Sequence, residues 1–135
     1  MAVDISLLER ATARLAEGLA RHLRDPGDDQ LRDGLIQRFE FTYDLAPKVL
    51  RRVLEESADS PGAVDRMTFP SLIRAAWEQG LVAGGWPAWH DFRDMRNMTS
   101  HLYDEAKAAG VAAKIPAFLD EIHFLIGRLN ALSGS

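Results

Sequence analysis

Apolar residues recur at helical spacing along almost the whole chain. Ile5, Leu8, Leu15, Leu19 and Leu23 fall on one side of a helical wheel, and the DPGDD run at 25–29 supplies a stop and a fresh start. This predicts a first helix over residues 5–23 and a tight turn. The segment DQLRDGLIQRFEFTYDLAPKVLRRVLEE carries a seam of Leu35, Phe39, Thr42, Ala46, Val49 and Val53, flanked by Ile36, Tyr43, Leu50 and Leu54, and is expected to be the longest helix. Pro47 lies inside it, where proline removes a backbone hydrogen bond and crowds the carbonyl of Tyr43 at a cost of about 3 kcal/mol, so a kink near residues 43–47 is expected. SADSPGAVDRMT reads as a loop, with Ser57, Ser60, Pro61 and Gly62 together.

A short helix, FPSLIRAAWEQGLV, follows with Pro70 in its first turn and Gly80 near its end. In AGGWPAWHDFRDMRNMTSHLYDEAKA, Gly84 and Gly85 punctuate the chain before Pro87 opens another helix. The last segment, AAKIPAFLDEIHFLIGRLNAL, places Pro116 in its first turn or two and Ile115, Leu119, Ile122, Ile126 and Leu129 on one side. Neither a period-two strand pattern nor an internal repeat is visible. The pattern predicts an all-α fold, an antiparallel bundle of four to five helices, as one domain over residues 1–135.

One stretch, RNMTSHLYD at 96–104, has more polar chemistry than a bundle helix needs. Read as helix, it puts Phe92, Met95, Thr99 and Leu102 in a core stripe with Met98 beside it. Asn97 and His101 then stack on one flank, and Arg96 and Tyr103 on the other. Arg96 and His101 come out about 140° apart around the axis, too far to converge within one helix. Two copies packed across a two-fold axis bring the arginine of one and the histidine of the other to a shared cleft. The ordinary alternative is an arginine paired with a nearby acid such as Asp94 or Asp104, and a histidine satisfying a hydrogen bond at a helix flank.

Composition narrows the classes. The 135 residues include no cysteine, which removes disulfides, thiolate metal sites and cysteine nucleophiles and fits the cytoplasm. Acids and arginines interrupt the apolar positions of MAVDISLLERATARLAEGLARHLRD, so neither a signal peptide nor a membrane span is expected there. Sixteen Lys and Arg against 20 Asp and Glu leave a net charge of -4, so any contact with RNA has to be local.

Glu40 and Asp44 lie one helical turn apart, as an acid–base or metal pair would, but Arg38, Lys48 and Arg51 suggest a charge-compensated surface. His22, His90 and His123 share no ligand spacing with one another and read as surface or boundary residues, so no metal is expected. Trp77, Trp86 and Trp89 lack a basic stripe and read as core or dimer contacts rather than base-stacking platforms. The AGG at 83–85 matches no phosphate loop, and no cofactor is expected. A Gly-Ser run followed by spaced aspartates is absent, so nucleotide-transfer chemistry is assigned to a separate chain.

The run RNMTSHLYDE, together with LIQRFEFTYDLAPKVLRRVLEE and the WPAW lead-in, resembles the nucleotidyltransferase substrate-binding proteins of the HepT-like branch of the HEPN superfamily, over essentially the whole chain. The FEFTYDLA block followed by RN, three residues, H-x-Y carries the resemblance. It implies a helical homodimer that partners a minimal nucleotidyltransferase, with RNA as its substrate. By the same resemblance, Arg96 and His101 are the pair for metal-independent RNA cleavage and Asn97 supports them. Tyr103 accepts the nucleotide groups that silence this toxin activity. A non-catalytic substrate-binding or regulatory subunit of a nucleotidyltransferase complex is the other function the family implies. The chain departs from the family pattern at Pro47, where LAPK stands for an expected LAWK. Histidine titrates near neutrality and guanidinium suits phosphate charge, so the motif's residue types fit the cleavage chemistry.

Overall fold

A computed structural model describes residues 3–60 and 62–133. Among these residues the chain forms five α-helices and one 3₁₀ turn: α1 Ser6–Arg24, α2 Asp29–Glu56, α3 Phe69–Glu78, α4 Trp86–Met98, the turn Thr99–His101, and α5 Glu105–Ser133. The expected all-helical bundle is what forms. No described helix is long and apolar enough to cross a membrane.

The elements begin and end for local reasons. Asp28 caps α2 by accepting hydrogen bonds from the backbone N–H of Gln30 at 2.9 Å and of Leu31 at 3.2 Å. Thr68 caps α3 through Ser71, with Pro70 in the first turn, and Gly80 closes the following turn at a φ of 73° that favours glycine. Asp104 caps α5, accepting from Ala106 N–H at 3.0 Å and Lys107 N–H at 3.2 Å. Pro61, part of the 57–68 loop expected from composition, lies outside the described residues.

All ten seam and flank positions named for α2 are buried, from Leu35 to Leu54. They meet α5 around an aromatic cluster in which Phe118 lies edge-on to Phe39 at 4.9 Å and to Phe92 at 5.2 Å, with Trp89 against Phe92 at 5.4 Å. The α1 seam is buried at Ile5, Leu8 and Leu15, but Leu23, in the last turn of the helix, is 63% exposed.

Three boundaries differ from the expectation. Helix α4 stops at Met98 instead of continuing through the motif. Helix α5 starts at Glu105, so Pro116 sits well inside it rather than in its opening turns, and its 29 residues exceed the 28 of α2. Helix α3 ends at Glu78, short of the expected 82. Pro47 lies within α2 without ending it.

Candidate functional site

The motif is a corner between two helices, and each side of it is tied to α2. On the α4 side, Arg96 reaches across to two carboxylates one turn apart on α2. Its Nε and Nη2 donate to the two oxygens of Asp44 at 3.0 and 3.1 Å, and Nη1 lies 3.1 Å from Glu40. Nη1 also donates to Thr99 Oγ1 at 2.9 Å, and that hydroxyl donates in turn to the Arg96 carbonyl at 2.7 Å. The hydrogen bond to Asp44 is the main reason the guanidinium is held even more firmly in its charged form. Nε and Nη1 face Asp44, Thr99 and Glu40 with all their N–H groups, so the partly exposed fork keeps one Nη2 N–H for a further oxygen.

On the α5 side, Glu105 accepts from the buried Arg32 of α2 at 2.7 Å. That hydrogen bond holds the Glu105 carboxyl below its ordinary range and raises the Arg32 guanidinium further above neutrality. Between the two ties, residues 97–104 turn through the 3₁₀ segment and a short bend. Leu102 packs against the core, while Tyr103 is 84% exposed. The Tyr103 hydroxyl lies 3.4 Å from His101 Nδ1, with the rings edge-on at 6.0 Å between centroids.

The structure therefore corrects several expectations that rested on a continuous helix. Phe92, Met95 and Thr99 of the core stripe are buried as foreseen, and Met98 beside it is 40% exposed. Asn97 and His101 do not stack on a helical flank. Asn97 is exposed, and its carbonyl accepts from Ser100 Oγ at 3.1 Å. The ring-nitrogen partner of His101 is the Tyr103 hydroxyl, not Asn97. Arg96 pairs with Asp44 and Glu40 instead of Asp94 or Asp104, because its side chain leaves α4 toward α2. The compensation of Glu40 and Asp44 thus comes from Arg96. Arg38 donates to the Arg14 carbonyl and Arg51 to the carbonyls of Val64 and Met67. Within the single chain Arg96 and His101 face different partners, the arginine toward α2 and the histidine toward Tyr103.

Arg32 and Glu105 were not singled out by the sequence, and Thr99 was foreseen only as a core position, not as a partner of Arg96. The Asp104–Glu105 pair before an apolar run is a helix-start signal that marks the corner. The tryptophans divide: Trp89 is fully buried and donates to Glu121 at 2.8 Å, Trp86 is half-buried under the Arg93 guanidinium, and Trp77 is 54% exposed. His90, Asp91 and Asp94 bring ligand atoms within 4.8 Å of one another on the outer face of α4, an i, i+1, i+4 spacing hidden from a search among histidines alone.

The chain is similar to known proteins in both sequence and fold. Residues 3–131 match the family model described as nucleotidyltransferase substrate binding protein like. A Haemophilus influenzae protein named as a probable ribonuclease HepT is 42% identical over 102 residues, which is 76% of this chain and 69% of that protein. A solved Haemophilus influenzae structure, described as revealing the fold of a substrate-binding domain of a nucleotidyltransferase, superimposes with a TM-score of 0.87 at 33% identity, covering 94% of this chain and 99% of that one. A crystal structure of a Thermus thermophilus protein matches with a TM-score of 0.72 at 29% identity, covering 90% of this chain and 98% of that one.

Proposed function

Because the chain belongs to the nucleotidyltransferase substrate-binding-like family, whose relatives include the probable ribonuclease HepT, we propose that it is a metal-independent endoribonuclease acting as a homodimer in the cytoplasm. It is a toxin whose antitoxin is a separate minimal nucleotidyltransferase. Arg96 and His101 are the cleavage pair, Asn97 a polar supporter and Tyr103 the acceptor of the silencing nucleotide. The observation that carries this reading is the corner itself: an exposed tyrosine hydroxyl 3.4 Å from the imidazole nitrogen of His101.

In the cleavage step the 2′-oxygen of a ribose attacks the adjacent phosphorus and the bond to the 5′-oxygen breaks, leaving a cyclic phosphate and a 5′-hydroxyl. His101 accepts the 2′-hydroxyl proton or supplies one to the departing oxygen. Arg96, preset by Asp44, Glu40 and Thr99, offers its positive charge and remaining Nη2 N–H to the phosphorane charge. Since Arg96 and His101 face different partners in one protomer, a second copy supplies the complementary member of each pair. In the silencing step the Tyr103 oxygen attacks the α-phosphorus of a nucleoside triphosphate held by the partner, and pyrophosphate leaves. The added phosphodiester then sits beside His101, where its bulk and negative charge exclude RNA.

The test is RNA cleavage with chelator present, comparing wild type with Arg96→Ala and His101→Ala. Cutting by wild type alone supports the reading, with losses of about 10²-fold or more in the variants. A protein confirmed by mass spectrometry to carry no adduct, and still unable to cut, rejects it. The second reading, a non-catalytic subunit that binds substrate for the nucleotidyltransferase, is favoured by the pairing of Arg96 with two carboxylates and takes over in that case.

A further inference from the structure

The bundle carries a second feature of the right chemistry for RNA, away from the motif. A groove of about 680 Å³ runs between α1 and α2, lined by Leu7, Arg10, Arg14, Gln37, Arg38 and Phe41 over a floor of Ala11 and Gly34. It contains three arginines and no carboxylate, in a chain whose overall charge is -4. Among the described residues no ion pair joins these three arginines to an acid. The through-space influence of Arg10 on Asp4 is minor beside the Ser6 hydrogen bonds that chiefly hold that carboxyl down.

Arg10 and Arg14 are one turn apart on α1, a like-charged spacing that is mutually repulsive in a bare helix. Arg38 comes against them from α2, donating to the Arg14 carbonyl at 2.7 Å. The set is therefore a local concentration of positive charge. Phe41 is 53% exposed and Leu7 46%, although most large apolar side chains on these two helices are buried. An exposed aromatic face beside guanidinium groups is the pairing that single-stranded nucleic acid uses, with phosphates on the cations and a base on the ring.

The groove borders the motif's anchor. Gln37 and Phe41 of its lining lie three positions before Glu40 and Asp44, the two carboxylates that hold Arg96, so they are surface neighbours on α2.

We infer that the α1–α2 groove is a track for single-stranded RNA, in which Arg10, Arg14 and Arg38 hold backbone phosphates and Phe41 stacks a base, feeding the strand toward Arg96. The inference rests on RNA being the substrate, as proposed above, and extends that reading to how the substrate is held. Arg10 and Arg14 lie about 6 Å apart along the helix axis and so engage neighbouring phosphates instead of competing for one.

The test separates holding from cutting. In the full chain carrying His101→Ala, so that the probe survives, fluorescence anisotropy of a labelled oligouridylate of about 12 nucleotides is measured across a salt series. Adding Arg10→Ala with Arg14→Ala flattens the slope of log affinity against log salt by about 1.4, since each phosphate that an arginine neutralises adds about 0.7 to it. Phe41→Ala weakens binding about tenfold with the salt slope unchanged. In the otherwise wild-type protein, the same groove substitutions raise KM for RNA and leave kcat in place.

Unchanged affinity and salt slope in these variants overturn the track even if wild type cuts RNA, leaving the proposed cleavage intact. Absence of RNA binding by the parent protein overturns it as well. If RNA binding holds while the variants change oligomeric state, the groove is a contact between copies of this chain, not an RNA track. If wild type does not cut but the groove variants lose RNA binding as stated, the track stands and the nuclease reading falls.

Discussion

The two ends of α4 are built on opposite principles. At its start, the buried carboxylate of Glu121 on α5 accepts from the backbone N–H of Ala83 at 3.0 Å and Gly84 at 2.9 Å, and from the Trp89 indole at 2.8 Å. Gly84 passes so close that a Cβ there would stand 2.6 Å from Ala88 Cβ. At its end, the helix gives way to a 3₁₀ turn beside the partly exposed ion pairs of Arg96 with Asp44 and Glu40. A buried hydrogen-bonded charge fixes position strongly because its partners have no water to turn to, whereas rim ion pairs orient side chains at little net stability. The first end is a foundation. The second presents chemistry.

That contrast is open to measurement. The largest effect is expected for Glu121→Leu, which strips the acceptor from three donors and lowers the unfolding free energy by about 3 kcal/mol, read by urea denaturation. A loss under about 1 kcal/mol would mean that water replaces the carboxylate and that this end of α4 is no firmer than the other. Gly84→Ala comes next, at about 1–3 kcal/mol, since the new methyl must push Ala88 or Glu121 aside.

At the other end, Arg96→Ala should cost no more than about 1 kcal/mol in the same denaturation, because its ion pairs are partly exposed, while removing the RNA cleavage proposed above. A stability loss as large as that of Glu121→Leu would erase the distinction between the ends. Smaller still is the acid response of the Arg32–Glu105 tie. The folded-state carboxyl of Glu105 is depressed, so its contribution is fully present above the ordinary carboxylate range and is lost as pH falls through the lowered folded value. Arg32→Ala should therefore shallow the decline of stability below about pH 4.5. An acid limb unchanged in that variant would show that the tie does not hold the corner. Tyr103→Phe should leave stability within about 0.5 kcal/mol, given 84% exposure, and abolish nucleotide addition as read by intact mass.

Helix positions that face the core were legible because burial imposes a local period. Every seam and flank position of α2 is buried, and so are Ile115, Leu119, Ile122 and Leu129 on α5. The motif's residue types were equally visible, yet its shape was misread. Continuous periodicity across 92–102 suggested one helix, while the break comes from Asp104 starting α5 and from Thr99 turning back to the Arg96 carbonyl. Glu121 carried no signal in the sequence that set it apart, and only folding shows what it accepts.

Sequence alone determined the all-helical class, the faces turned inward and the residues available for chemistry at 96–103, since each follows from local spacing and composition. Tertiary structure decided what those residues touch. Arg96 meets Asp44 across 52 positions, Arg32 meets Glu105 across 73, and Trp89 meets Glu121 across 32. Such pairings depend on how the helices cross and rotate against one another, a property of the packed core as a whole that no short window of the chain contains.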